Sequence, residues 1–397
     1  MERLARIIFP HYWEVLSLAG AVGEWTLWCW AWGAPASPIA HVVALAVLFG
    51  VNRLAAVGYS HEDARAPVRH RLGGLTLATG FICAGGVAGL VVAAVGWALL
   101  VRAGGLAAQA GTAAHTPFEW LGDEFRVVGW LGIAAAVGLV IDGYLRGYRR
   151  LDVTRLDVTL PGLPPALDGF RVVQLSDLHV GPIADRTALR DVFDRAVAEA
   201  SDLIVVTGDV VDTPSADLDA WLPELRRLRA PHGVVAILGN HDREVGLDRV
   251  AAALRAATDW TILRDQVHRV ADGLVVAGLE FRPTPHEGDA VPALAGGIPA
   301  DAAVLLLAHH PNAFAAARAA GIGLTLAGHT HGGQIALPFA PRLNPARALM
   351  TPYDAGTFVE DGCLLHVNRG IGTSGQRVRI GASREITVVT LRAPATA

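Results

Sequence analysis

Five short clusters in the chain carry residue types that hold metal ions. They are Asp177-Leu178-His179, Gly208-Asp209, Gly239-Asn240-His241-Asp242, His309-His310-Pro311 and Gly328-His329-Thr330-His331. Any one of them alone reads more naturally as a polar loop end than as a site. Together they supply carboxylates, an amide and imidazoles without a thiolate, a donor set that suits Mn, Fe or Zn and disfavours an all-oxygen Ca or Mg cage. Seven or so donors exceed what one tetrahedral ion uses. Two ions about 3.5–4 Å apart, bridged by a carboxylate, use them all and form a clamp for a phosphate ester. Asp-x-His and His-x-His set side chains two residues apart, which in an extended segment point the same way. Glycine before the ligands at 208, 239 and 328 permits a turn with no Cβ to crowd an ion.

Such clusters need a frame that ends at one place. Short β-branched runs predict strands over 170–175, 203–207, 233–238, 274–279, 304–308 and 324–327. Amphipathic stretches over 186–200, 216–228, 247–257 and 312–320 predict helices between them. Further strands follow without helices at 357–359, 364–368, 378–380 and 386–391. The fold class is therefore α/β, with a layered core and mixed sheet. The five clusters fall at the C-terminal ends of strands, where α/β folds place their sites.

Composition narrows the chemistry. Of 397 residues, 52% are hydrophobic and 18% charged, against roughly 45–50% and 25% in ordinary soluble domains; the mean hydropathy is +0.39. The formal net charge of −4 offers no basic domain for nucleic acid. All 33 basic residues are arginine, which excludes Schiff-base chemistry, a lysine nucleophile and a P-loop lysine. Cys29, Cys83 and Cys363 lie far apart in the sequence, form no CxxC pair, and are expected to pack as small hydrophobes.

The apolar surplus sits in the first 145 or so residues. Segments 15–33, 39–58, 75–101 and 125–145 approach or reach the 20 or so apolar residues that a spanning helix needs. Trp25, Trp28, Trp30, Trp32, Trp120 and Trp130 lie where interfacial aromatics belong. No small-residue cleavage site ends the first run, so these read as anchors and not as a removable signal peptide. Arg3, Arg6, Arg65, Arg69, Arg71, Arg146, Arg149, Arg150 and Arg155 fall on one side, and Glu119, Asp123 and Glu124 with only Arg102 on the other. Both termini are thus expected in the cytoplasm, in a multi-pass protein of about four helices. Glu24 and Asp142 are the acids in or beside the spans; without a Pro-broken helix pair they predict anchoring and not transport. The expected division is a transmembrane region over 1–150 and a second domain over 151–397.

In order and spacing the five clusters resemble the signature of the calcineurin-like metallophosphoesterases. The extension Gly328-His-Thr-His-Gly-Gly-Gln334 and the tail Gly370-Ile-Gly-Thr-Ser374 look like its membrane-associated bacterial branch, which carries N-terminal transmembrane helices. The resemblance covers roughly 165–392. It implies a four-layer αββα sandwich with two mixed sheets. It assigns Asp177, His179 and His331 to one divalent ion, Asp209 to the bridge, and Asn240, His309 and His329 to a second. His309 is preferred to His310 because the family block reads His-x-Pro; His310 is expected beside the site or at the surface. His241 becomes a general acid or charge stabiliser with Asp242 on its other nitrogen, and a metal-bound hydroxide the nucleophile. Asp212 is expected to hydrogen-bond a ligand, while Gly332, Gly333 and Gln334 either line the phosphate pocket or make a tight turn. Relatives tend to have proline where this chain has Arg377 and Arg384, which puts the shape of the substrate pocket in question. The implied activity is membrane-anchored hydrolysis of a phosphate mono- or diester, with a lipid-linked or sugar-nucleotide substrate favoured by the anchor. The competing reading is a catalytically silent membrane scaffold, against which the five filled clusters argue.

Overall fold

The computed structural model describes residues 12–35, 37–60, 67–103, 125–214, 216–299 and 302–395. Arg3, Arg6, Arg65, Glu119, Trp120, Asp123 and Glu124 lie outside them. The chain divides into two compact units, one ending at Leu145 and the other beginning at Arg146.

The first unit contains α1 (Tyr12–Trp32), α2 (Pro38–Ser60), α3 (Pro67–Ala103) and α4 (Phe125–Leu145). Among the described residues three stretches are long and apolar enough to cross a membrane: Pro38–Val57, Leu72–Leu99 and Phe125–Arg149. Helix α1, the expected first span, is not among them and carries Glu14 and Glu24. Both acids are partnered within the unit. Glu14 pairs with Arg53 at 2.7 Å, and Glu24 accepts a hydrogen bond from Asn52 Nδ2 at 3.1 Å. Helices α3 and α4 meet through Gly89 and Gly132, where an added Cβ at either would overlap the other's backbone; small residues allow the close approach that helices in lipid depend on. Ile39, Leu54, Val92 and Val127 face outward.

The second unit runs β1 (Leu151–Thr159), β2 (Arg171–Leu175), α5 (Arg186–Ala198), β3 (Leu203–Thr207), α6 (Leu218–Leu225), β4 (Val234–Ile237), α7 (Asn240–Val245), α8 (Leu247–Ala257), β5 (Trp260–Ile262), β6 (Gln266–Ala271), β7 (Leu274–Gly278), α9 (Val291–Gly296), β8 (Ala303–Leu307), α10 (Phe314–Ala319), β9 (Leu324–Ala327), α11 (Pro345–Leu349), β10 (Gly356–Glu360), β11 (Cys363–Val367) and β12 (Arg384–Arg392). Two six-stranded sheets form, in the orders β1-β12-β2-β3-β4-β5 and β10-β11-β9-β8-β7-β6. Both are mixed: β2, β3, β4 and β5 are parallel, as are β7, β8, β9 and β11, while β12 runs against β2, β6 against β7 and β10 against β11.

Three apolar layers hold four layers of structure together. Val173, Leu175 and Ile204 pack outward against Val192 and Phe193 of α5, Leu225 of α6 and Leu254 of α8. Val172, Leu203, Val205 and Val235 pack inward against Leu274, Val276, Leu305 and Leu326 of the other sheet. Ala277 and Leu306 then pack against Leu294 of α9 and Ala317 of α10. This is an αββα sandwich. The central strands are buried on both faces, which is why β3 reads as the unbroken run Leu-Ile-Val-Val-Thr.

Three strands were not visible in the sequence pattern: β1, β5 and β6. Strand β1 lies at a sheet edge and mixes Asp152, Arg155 and Asp157 with apolar residues. In the other direction, 378–380 is not a strand; Ile380 makes a single bridge to Ile335, because Arg379 turns inward and is buried.

Candidate metal centre

The C-terminal ends of β2, β3 and β4 in one sheet and of β8 and β9 in the other deliver the five clusters. The loops after β2 and β3 are joined by backbone hydrogen bonds: the amides of Asp177, His179 and Val180 donate to the carbonyls of Gly208, Asp209 and Val210 at 2.9–3.0 Å. The paired residues do not converge by strand alternation, as spacing alone suggested. Asp177, His179, Asp209, His329 and His331 all have positive φ, between 46° and 72°. They are five of the nine non-glycine residues with positive φ among the described residues. Left-handed backbone costs an L-residue about 1 kcal/mol or more, and its concentration here shows tight turns aiming each side chain separately. Gly208, at φ +93°, tolerates that conformation without cost. At Gly239 the need is space, since a Cβ would overlap Asp209 Oδ1.

Two groups of donor atoms result. In the first, His179 Nε2 and His331 Nε2 are 3.1 Å apart, and Asp177 Oδ1 is 3.5 Å from His331 Nε2. In the second, His309 Nε2 lies 3.0 Å from Asn240 Oδ1, 3.2 Å from His329 Nδ1 and 3.3 Å from Asp209 Oδ2. Asp209 Oδ2 is also 3.7 Å from His179 Nε2, so one carboxylate faces both groups. Apart from Asn240 and His329, which are partly exposed, these residues are buried.

The second group fits a cation on its own chemistry. His309 Nδ1 must donate to the Thr207 carbonyl, 2.8 Å away, which leaves Nε2 a lone pair in the neutral ring. That lone pair faces an amide oxygen and a carboxylate oxygen, and a positive ion is what such a meeting of acceptors calls for. In the first group His179 Nδ1 donates to Asp212 Oδ1 at 3.0 Å, which again turns Nε2 inward, and the other oxygen of Asp212 is buried without a partner. The field at this point is negative enough to hold a proton on His309 Nε2, which a metal ion displaces on binding. Burial works against the charge of Asp209, but His309 and His241 outweigh it and hold its carboxyl well below the usual range. Burial also pulls His309 down, yet Asp209 and then Asp177 push it up to about 9. Burial, reinforced by neighbouring histidines, holds His329 and His331 well below their ordinary value, as neutral donors.

The surrounding residues divide the support. His241 sits at the start of α7; its amide donates to Asp209 Oδ1 at 2.9 Å and its Nδ1 to the Asp212 carbonyl at 2.6 Å. Burial lowers its pKa, but Asp209 and Asp212 raise it to about 9. The expected Asp242 contact with this ring is not made. Asp242 instead accepts from the amides of Gly239 (2.9 Å), Val211 (2.9 Å) and Val210 (3.2 Å). His310 is buried, not on the surface. Its Nδ1 accepts from the Asn312 amide at 3.3 Å, and its ring lies 4.5 Å from that of His329. Gln334 does not serve the pocket; it clamps the tail, accepting from the Ser374 amide and donating to the Ser374 and Gln376 carbonyls. Arg379, which no pattern in the sequence marks, is buried and brings Nη2 within 3.2 Å of His331 Nδ1. A cleft of about 490 Å³ lies beside the centre, lined by Arg243, Phe281, Arg282 and His286 among others.

Residues 170–342 match the family model of calcineurin-like phosphoesterases. The chain is 32% identical over 274 residues to the uncharacterized metallophosphoesterase YkuE of Bacillus subtilis, an alignment covering 65% of this chain and 94% of that one. The chain belongs to the calcineurin-like metallophosphoesterases. As a member it is a metal-dependent phosphoric ester hydrolase with a divalent metal centre. It is also 31% identical to a bovine transmembrane protein with metallophosphoesterase domain, over 66% of this chain and 62% of that protein. With three membrane-length helices among its described residues and a relative named as a transmembrane protein, this chain is membrane-associated. A further relative, at 27% identity over 60% of this chain and 88% of its own length, is the UDP-2,3-diacylglucosamine pyrophosphatase LpxG of Chlamydia trachomatis.

Proposed function

We propose that the protein hydrolyses a phosphate mono- or diester at a centre of two divalent ions, Mn, Fe or Zn. Asp177, His179 and His331 would hold one, Asn240, His309 and His329 the other, and Asp209 would be shared between them. The observation that carries this reading is the facing of lone pairs around His309 Nε2, beside a carboxylate shared with His179. When bound, the ions supply positive charge to the phosphoryl oxygens and lower the pKa of water. The chain's own residues do the rest. His241, oriented by its Nδ1 hydrogen bond to Asp212, presents Nε2 to protonate the leaving oxygen. Asp242 holds the amides that follow Asp209 and so fixes the bridge. Arg243 and Arg282 line the adjoining cleft for the remainder of the substrate.

We take residues 1–150 as the transmembrane region and 151–397 as the catalytic domain. Four spans are proposed, with α1 included because Arg53 and Asn52 partner its acids. The arginines at 146, 149, 150 and 155 favour a cytoplasmic catalytic domain. The bilayer anchor and the lipid-linked sugar nucleotide named for the LpxG relative favour a lipid-linked or sugar-nucleotide substrate.

The test is hydrolysis of bis(p-nitrophenyl) phosphate and p-nitrophenyl phosphate by detergent-purified protein, stripped of metal and restored with Mn, Fe, Zn or Mg. Turnover should vanish on stripping and return with at least one ion, with two metals per chain by elemental analysis. Protein that binds no metal after restoration overturns the reading.

A further inference from the structure

The second unit exposes few large apolar side chains. Among its described residues they are Val267, Leu337, Phe339, Leu343 and Val359. Three of the five share one loop, Ile335-Ala-Leu-Pro-Phe-Ala-Pro-Arg-Leu343, whose single charge is Arg342. Phe339 at its tip is 100% exposed. The loop is ordered rather than loose. Ala340 donates to the Leu337 carbonyl at 3.0 Å and Leu343 to that of Ala340 at 2.8 Å. At its base the buried Asn344 donates to the Pro341 carbonyl at 2.8 Å. Holding three apolar side chains in water on a fixed loop is unfavourable, and such a patch marks a contact surface.

Its position identifies the contact. The loop starts four residues after His331, so it flanks the metal centre. Its first residues pair with the tail: Ile335 bridges Ile380, and Ala336 donates to the Ile380 carbonyl at 2.8 Å. On its other side this tail segment carries the connection from α4. Gly147 packs on the Arg379 carbonyl with no room for a Cβ, and the guanidiniums of Arg377 and Arg384 lie 5.4 and 5.0 Å from the Tyr148 ring. The register agrees. Leu151 pairs with Arg384 at the start of β12, which runs antiparallel to β2, so β1 begins at the end of the sheet where Asp177 sits. Chain entry, apolar loop and metal centre therefore share one end of the sandwich. The last membrane-length stretch ends at Arg149 and β1 begins at Leu151, so the chain enters the sandwich at this end. An apolar tip with one basic residue beside it is the composition that enters a headgroup and acyl boundary.

We propose that the loop Ile335–Leu343 inserts into the lipid bilayer, so that the metal centre opens at the membrane interface toward phosphate esters carried on lipids. The substrate half of this statement rests on the phosphoesterase reading above; the insertion half does not.

The test uses the full chain in vesicles of phosphatidylcholine and phosphatidylglycerol. Phe339→Cys and, as a control at the opposite sheet end, the exposed Val359→Cys are labelled with the polarity-sensitive fluorophore NBD. Labelled wild type sets the background from Cys29, Cys83 and Cys363, and hydrolysis of bis(p-nitrophenyl) phosphate confirms that each variant is folded. The label at 339 should emit to the blue of that at 359 and be quenched by doxyl-labelled lipid. Equal emission and quenching at the two positions overturns insertion. A blue shift without lipid quenching also overturns it, and shows that protein, such as a second copy of the chain, covers the loop. In a second arm, Phe339→Asp should lower hydrolysis of vesicle-borne hexadecyl p-nitrophenyl phosphate roughly tenfold and leave bis(p-nitrophenyl) phosphate within about twofold. Equal rates on the lipid ester for wild type and variant overturn the substrate half. If wild type hydrolyses neither ester, the phosphoesterase reading fails while the quenching still decides the loop.

Discussion

The two halves of the metal centre are built from similar donors but supported differently. The ring of His309 is oriented by a backbone carbonyl, that of Thr207 at the end of β3. Its position is as secure as the strand. The ring of His179 is oriented by a side chain, Asp212, and that of His331 packs beside the guanidinium of Arg379. These partners lie outside the strands, on loops that Asp242 and Gln334 tie down. The difference teaches where the centre can be adjusted by substitution. The Asn240, His309 and His329 half can be weakened only through its ligands, whereas the Asp177, His179 and His331 half can also be weakened through residues that touch no ion.

The largest effect is expected where the halves meet. Asp209→Ala removes a carboxylate that lies within 4 Å of both His179 and His309, and should abolish metal-dependent hydrolysis and lower the metal content of both halves together. Loss of only one metal per chain by elemental analysis would break the bridging assignment. Next comes His241→Ala, which removes no ligand. It should keep both metals and cut kcat by about 10²-fold or more on esters with poor leaving groups, the range for a general acid, with much less effect on p-nitrophenyl esters. Unchanged turnover of a poor-leaving-group ester would sink the acid role. A smaller effect distinguishes the halves directly. Asp212→Asn should weaken one metal by roughly 10- to 100-fold, as loss of a ligand's hydrogen-bond partner does, and leave the other in place under a chelator titration. Equal weakening of both would show that the halves are not independent.

What the sequence disclosed and what it hid follow from the same contrast. Each ligand cluster follows an apolar strand and was visible because the strand is, β3 with Gly208-Asp209 being the clearest case. Of the two residues beside the rings of His179 and His331, Asp212 was expected to bond a ligand and does, whereas Arg379 was hidden because it lacks that punctuation. Arg379 lies in Arg-Val-Arg-Ile, which reads as a strand until the guanidinium is seen turned inward toward the carbonyls of Arg369, Gly370 and Gly372. Edge strand β1 mixes charges with apolar residues and gave no clean alternation. The role of Asp242 was misassigned for a different reason. The cluster Gly239-Asn240-His241-Asp242 reads as a loop after a strand, yet Asn240 begins helix α7, and an acid at the third helical position naturally reaches back to the amide before the helix.

That reassignment yields the smallest prediction and a sharp one. If Asp242 oriented the His241 ring, Asp242→Asn would copy His241→Ala and discriminate against poor leaving groups. The carboxylate instead receives three backbone amides, and an asparagine can accept with only one of its two terminal atoms. At least one buried amide then loses its partner, at a cost of about 1–3 kcal/mol. Thermal unfolding should shift down accordingly, with kcat on good and poor leaving groups reduced by the same small factor, because the Asp209 loop is loosened but the proton donor is untouched. A selective loss on poor leaving groups would return Asp242 to the proton-transfer pair and remove the distinction between residues that hold the backbone and residues that hold the rings.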